Sequence, residues 1–255
     1  MRYIYGPVKS RRLGNSLGIS VVDYKVCSYD CVYCQLKATT TKTLRRKKYI
    51  QPKDIIGEVR EFLVSHQKHP VPKRRLSWPV SQESLMEHID FITFSGSGEP
   101  TLNSCIGYLI KEVKRLTSIP VVLITNSSTL MKRQVRKEIL KADIIIPSLD
   151  AVTQDIFEKI DRPAKGIHVQ DIINALVQLR KEYKGEIWLE IMLVKGLNDS
   201  FPYILQMKEV VQLIRPDKIH INSPVRPPAE GWVKPVSSAA LKKIKQVFGS
   251  LCEVV

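Results

Sequence analysis

The chain has 255 residues, enough for one large domain or two small ones around a full apolar core. Its hydrophobic content of 44% is ordinary for a globular chain, and no uninterrupted apolar run approaches a membrane span. Lys and Arg number 40 against 25 Asp and Glu, a formal charge of +15 that points to a polyanionic partner such as RNA.

The opening MRYIYGPVKSRR has no apolar leader, so a cytoplasmic, reducing location is expected. Residues 16–22, apolar, opened by glycines and ending in β-branched side chains, predict a first strand. A cysteine-rich loop follows, then the polar and basic run TTTKTLRRKKYIQ. Pro52-Lys53-Asp54 starts a helix whose apolar face is Ile55, Ile56, Val59, Phe62 and Leu63. Residues 66–82, with three prolines, four basic residues and no period, read as a basic loop insertion. Strands are then predicted over residues 89–94, 121–125, 143–148, 186–193 and 218–222. Helices are predicted near 106–116, 131–140, 167–182, 202–214 and 238–248. Residues 251–255 read as a strand that begins and stops, so the natural chain is expected to continue. Six strands each followed by a helix make a parallel α/β pattern, either a doubly wound sheet or a six-unit open barrel. In both, a site belongs at the carboxyl ends of the strands.

The cysteine loop is Cys27-Ser28-Tyr29-Asp30-Cys31-Val32-Tyr33-Cys34, which holds three of the five cysteines in the chain. Spacings this short let one loop turn its thiolates round a compact iron–sulfur core. Three thiolates leave one iron of a four-iron cubane open, and an open position is where a metal centre does chemistry. A structural zinc site is the rival, and it needs a fourth Cys or His nearby. His66 and His69 lie far along the chain in a basic segment, and Cys105 and Cys252 read as lone core residues.

Polar residues recur at the predicted strand ends. After the second strand comes Ser95-Gly96-Ser97-Gly98-Glu99-Pro100, whose glycines admit close backbone approach and whose Glu99 adds a carboxylate. After the third and fourth come Asn126, then Ser148 and Asp150, the last pair facing one side at strand period. Taken singly each reads as a helix cap; a hydroxyl and a carboxylate at successive strand ends suit ribose hydroxyls better. His220, Asn222, Arg226 and Trp232 crowd the end of the last strand, where a substrate would enter, and are substrate-side candidates. Basic runs stand at Lys9-Arg11-Arg12, Lys42 to Lys48, Lys73 to Arg75, and Lys132 to Lys137. Any single run reads as a solvated face; four together favour nucleic acid.

Cys-x-x-x-Cys-x-aromatic-Cys just after a strand resembles the signature of the radical S-adenosylmethionine (radical SAM) superfamily. Gly6-Pro7-Val8-Lys9-Ser10-Arg11-Arg12-Leu13-Gly14, followed by Ser16-Leu17-Gly18, resembles its subgroup of small iron–sulfur oxidoreductases related to wybutosine-biosynthesis enzymes. The resemblance runs from Gly6 to about Trp232 and implies a single domain over 1–255, folded as a partial (β/α)6 barrel. It implies a 4Fe–4S cluster on Cys27, Cys31 and Cys34, with S-adenosylmethionine on the open iron. It implies that Ser97, Gly98, Glu99 and Pro100 hold the methionine amino group, with Ser97 where the family has glycine. It gives Asn126, Ser148 and Asp150 the ribose, and Tyr33, Met192 and Val194 the adenine. Arg162, in Asp161-Arg162-Pro163, suits the methionine carboxylate. A one-electron donor of the ferredoxin or flavodoxin type is implied as partner. Wybutosine-type enzymes carry further cysteines for a second cluster; none precedes Cys27, which argues against that ring-forming reaction and leaves another RNA modification open. The rivals are a modifier or activase of a protein or peptide, and a non-catalytic, zinc-stabilised RNA-binding protein.

Overall fold

The computed structural model describes residues 1–67 and 89–255. The basic insertion predicted over 66–82, Lys73 to Arg75 with it, lies almost wholly outside the described residues. Among the described residues the main sheet has eight strands. Strand β1 (Ile4–Ser10) is antiparallel to β2 (Gly14–Ile19), and β2 starts a run in which every later neighbour is parallel. That run continues through β5 (Phe91–Phe94), β6 (Val121–Thr125), β7 (Ile144–Pro147), β8 (Glu186–Met192), β9 (Lys218–Asn222) and β10 (Cys252–Val254). The short pair β3 (Val26–Cys27) and β4 (Thr41–Lys42) brackets the cysteine loop. With β1 and β10 as free edges the sheet curls into an open, partial barrel.

Helices α1 (Pro52–Gln67), α2 (Ile106–Leu116), α3 (Arg133–Ile139), α4 (Gln154–Ile160), α5 (Val169–Glu182), α6 (Phe201–Ile214) and α7 (Ser238–Phe248) make the crossovers. Parallel strands covered on both faces need apolar residues on both, and β7 is buried at all four positions. Alternation then sorts them. Leu123 and Ile145 join the large cluster under the helices, while Val122, Ile144, Ile146 and Trp188 pack with Leu13 in a second, separate cluster. On α2, Ile106, Leu109, Ile110 and Val113 are buried, each contributing about 2 kcal/mol.

Leu13 belongs to the turn between β1 and β2, which crosses to the far strands. Arg12 is ion-paired with Glu190 on β8, and Arg11 donates to Oδ1 of Asn222 on β9 (2.9 Å) and to the Val255 carbonyl (2.7 Å). The predicted parallel strands all appear. Strands β1, β3 and β4 and helix α4 were not predicted, and residues 251–255, read as a beginning strand, contain β10, which pairs with β9.

Candidate cluster and cofactor site

The cysteine loop is tied to the barrel on both sides. Thr43 N–H binds the Cys27 carbonyl (2.9 Å), and Asp30 and Val32 N–H bind the carbonyls of Asp161 and Ile160 at the end of α4. Towards β5, Lys25 N–H donates to the Ser97 carbonyl (2.6 Å) and Glu99 N–H to the Val26 carbonyl (3.1 Å). Gly98 lies between these two bonds, where a Cβ would collide with the Val26 carbonyl oxygen. This is why the motif needs glycine there.

All three cysteines are half-buried, and none is in a disulfide. Two meet side-chain nitrogen donors: Asn126 Nδ2 lies 3.5 Å from Cys27 Sγ, and Lys25 Nζ lies 3.3 Å from Cys34 Sγ. The third, Cys31 Sγ, donates to Oδ1 of Asp161 (3.3 Å). Burial, with the Glu99 charge next in weight, pushes the Cys27 thiol up to about 12; burial and Asp161 push Cys31 well above its ordinary value. Among the described residues no three His, Cys, Asp or Glu side chains converge on one ion. A cubane asks for a different arrangement, one sulfur at each of three corners.

Glu99 is buried and hydrogen-bonded at both carboxylate oxygens. Its Oε1 accepts from Thr101 N (3.0 Å), Thr101 Oγ1 (2.5 Å) and Thr125 Oγ1 (2.7 Å), and its Oε2 from Asn126 N (2.7 Å). Burial raises its pKa against the pull of those bonds. The carboxylate thereby locks the turn after β5 to the end of β6. Ser97 turns its hydroxyl to Ser20 (3.1 Å), and Pro100 opens a buried 3-10 turn, Pro100–Leu102.

A small pocket lies at the carboxyl ends of β6 and β7, and Tyr33, Asn126, Ser148, Asp150 and Asp161 line it. Tyr33 donates its phenol to Oδ2 of Asp150, and Met192 N–H donates to Oδ1 (2.7 Å). Burial pushes Asp150 up to about 6, and burial together with Asp150 pushes Asp161 well above the carboxylate range. Asn198 closes this corner, bonding the carbonyls of Asp150 and Met192 and the N–H of Val194 at 2.8 Å each. Val194 packs with Val32 and Val233, and Tyr33 and Met192 lean on the same cluster.

The matching family is the radical SAM superfamily, over residues 21–207. The chain belongs to the radical SAM superfamily of enzymes. It is 35% identical over 253 residues to the UPF0026 protein MJ1312 of Methanocaldococcus jannaschii, covering 98% of this chain and 72% of that protein. It is 38% identical over 251 residues to the protein named GTPase Obg of Brachyspira hyodysenteriae, covering 98% of this chain but only 34% of that one. Among solved structures, TYW1 with a lysine-pyruvate adduct bound matches with a TM-score of 0.62 at 19% identity, covering 91% of this chain and 72% of that one. This radical SAM chain therefore shares its fold with a wybutosine-biosynthesis protein.

The remaining predicted residues are dispersed. Arg162, at a left-handed φ of 46°, is ion-paired with Glu230 (2.5 Å). His220 is buried in mid-strand rather than at the mouth, edge-on to Trp188 at 5.4 Å, and burial pulls its pKa below the ordinary value. Asn222 ends β9 beside Met192, Arg226 donates to Gln35 (2.7 Å) just past Cys34, and Trp232 is 51% exposed. Sequence reading missed three residues of this candidate site. Asp161 stood next to the arginine that drew notice, Asn198 reads as an ordinary turn residue, and Lys25 reads as one lysine among many.

Proposed function

We propose that the chain binds a 4Fe–4S cluster through Cys27, Cys31 and Cys34 and cleaves S-adenosylmethionine reductively. The observation that carries this is the sharing of residues between sulfurs and pocket. Asn126 bonds Cys27, Asp161 bonds Cys31, and both line the pocket that Tyr33, Ser148 and Asp150 complete. Three thiols with nitrogen donors at two of them suit thiolates that share charge with iron. When bound, the cluster supplies an electron to the sulfonium, giving methionine and a 5′-deoxyadenosyl radical that takes hydrogen from a substrate.

The chain's own residues orient and enclose. Asp150, fixed by Tyr33 and Met192 N–H, offers a carboxylate to ribose hydroxyls with Ser148 and Asn126 beside it. Val194, Met192 and Tyr33 give an apolar wall for adenine that keeps water out. Glu99 acts through the backbone it locks, with one lone pair of Oε2 left for the methionine amino group. Ser97, Gly98 and Pro100 shape that turn, and Arg162 would reach a carboxylate only by leaving Glu230.

A polyanionic substrate, an RNA, suits the charge of +15. The Arg46–Glu138 pair (2.5 Å) also brings the Lys42 to Lys48 run against α3, which carries the Lys132 to Lys137 run. A protein or peptide substrate is the rival. The electron comes from a ferredoxin- or flavodoxin-type donor. In the described residues no helix is long and apolar enough to cross a membrane.

The test is anaerobic reconstitution. A brown protein that bleaches with dithionite and yields 5′-deoxyadenosine supports the reading, and Cys31→Ala must abolish that yield while the barrel stays folded. Asp150→Ala must weaken S-adenosylmethionine binding without loss of iron. A colourless zinc protein that binds RNA and leaves S-adenosylmethionine intact would overturn it.

A further inference from the structure

Lys25 is 3% exposed, and its Nζ makes one hydrogen bond, to Cys34 Sγ at 3.3 Å. Among the described residues no carboxylate lies within ion-pairing distance of it. Lysine is seldom buried without an anion, because the low dielectric penalises an uncompensated ammonium. A thiol is a weak partner for it; an iron-bound sulfur that carries negative charge is a stronger one. The backbone sharpens the point. Lys25 stands at φ 60°, in the left-handed region where glycine or asparagine would fit with less strain. Its main chain is held there from both sides, by the Ser97 carbonyl and by Thr41 N–H (3.2 Å). A strained position that keeps a long cationic side chain, turned inward onto a sulfur, is explained by what that cation meets.

We infer that the Lys25 ammonium is a positioning and tuning group for the iron–sulfur cluster, bound to the Cys34 thiolate and favouring the reduced state. The inference rests on the cluster assignment of the preceding section. Reduction adds one electron from an external low-potential donor, with no bond made or broken and no proton leaving Lys25. A fixed positive charge on a ligand sulfur stabilises that added negative charge and raises the reduction potential. No other charged side chain hydrogen-bonds Cys34 Sγ among the described residues. Asn126 gives Cys27 only an amide N–H, at 3.5 Å, and shares it with Ser28.

The test uses reconstituted holoprotein and an EPR-monitored dithionite titration. Lys25→Met keeps the length of the side chain and removes the charge. At a fixed solution potential its reduced-to-oxidised ratio should fall about tenfold, a shift of about 59 mV for one electron. Lys25→Arg should restore most of the ratio. A Met variant with an unchanged potential overturns the inference. If the Met variant holds no iron but the Arg variant does, the charge is what the cluster needs, and the inference stands. The third measurement needs no variant. In wild-type holoprotein labelled with 15N-lysine, pulsed EPR of the reduced cluster should show a lysine nitrogen coupling; its absence overturns the inference even if both variants lose iron. Wild-type protein that takes up no cluster sinks the cluster assignment itself, and the inference with it. An unaltered variant of a protein that does load sinks the inference alone.

Discussion

Arg12, in the turn between β1 and β2, forms an ion pair with Glu190 on β8, with side-chain exposures of 21% and 10%. The pair joins residues 178 apart in the chain and ties the antiparallel edge of the open sheet to its far half. Asn222 extends the link, donating to the other Glu190 oxygen (3.1 Å) and accepting from Arg11. Removing one member of a largely buried pair leaves the other uncompensated, at a cost of about 3 kcal/mol. Glu190→Gln and Arg12→Met should each lower the urea midpoint accordingly, and the double variant should lose clearly less than their sum. Strict additivity would show that the pair does not hold the turn in place.

Gly98 and Gly57 should respond oppositely to alanine. At Gly98 a Cβ would strike the Val26 carbonyl, forcing apart the segment that anchors the cysteine loop. We expect a loss of about 2 kcal/mol, as for other overpacked sites, and poor iron uptake on reconstitution.

Gly57 lies in α1, and among the described residues nothing outside that helix's own backbone lies within 4 Å of the added carbon. There alanine should raise stability by about 0.5 to 1 kcal/mol, through the helix propensity it gains. Thermal or urea melts of the two variants check both expectations. A destabilised Gly57→Ala would mean that the outer face of α1 is not free.

The parallel strands were legible because both of their faces are apolar, a signal carried within five residues of chain. The helices that showed a repeating apolar face were legible for the same reason. Helix α4 has seven residues, too few for a period to emerge, and β1 is largely exposed with glycine and proline inside it. At the site, residue types told more than positions did. Asn126, Ser148, Asp150 and Tyr33 could be placed by strand ends and cysteine spacing, and they line one pocket. What those side chains touch could not be read, because the partners lie far away in sequence. The contact between Asp161 and Cys31 spans 130 residues, and Glu99 accepts from its own turn and from the end of β6. His220 was picked for standing near the end of the last strand in sequence, although here it is buried in mid-strand against Trp188.

The Asp150–Asp161 pair predicts how stability of the cluster-free protein changes with pH. Both carboxyls are buried, and burial holds Asp150 up at about 6 and Asp161 well above its ordinary value. A raised folded-state pKa means that the folded chain binds the proton more tightly than the unfolded chain does. The stabilisation is therefore complete below about 4, the unfolded value for aspartate, and is lost as pH rises through 6. The cluster-free protein should show a higher urea midpoint at pH 5 than at pH 7.5. Asp150→Asn, neutral at both values, should flatten that difference. Tyr33→Phe removes a donor that pulls Asp150 down, so the loss should set in at higher pH. A wild-type midpoint that rises between pH 5 and 7.5, with Asp150→Asn unchanged in slope, would mean that the two carboxyls are solvated rather than enclosed.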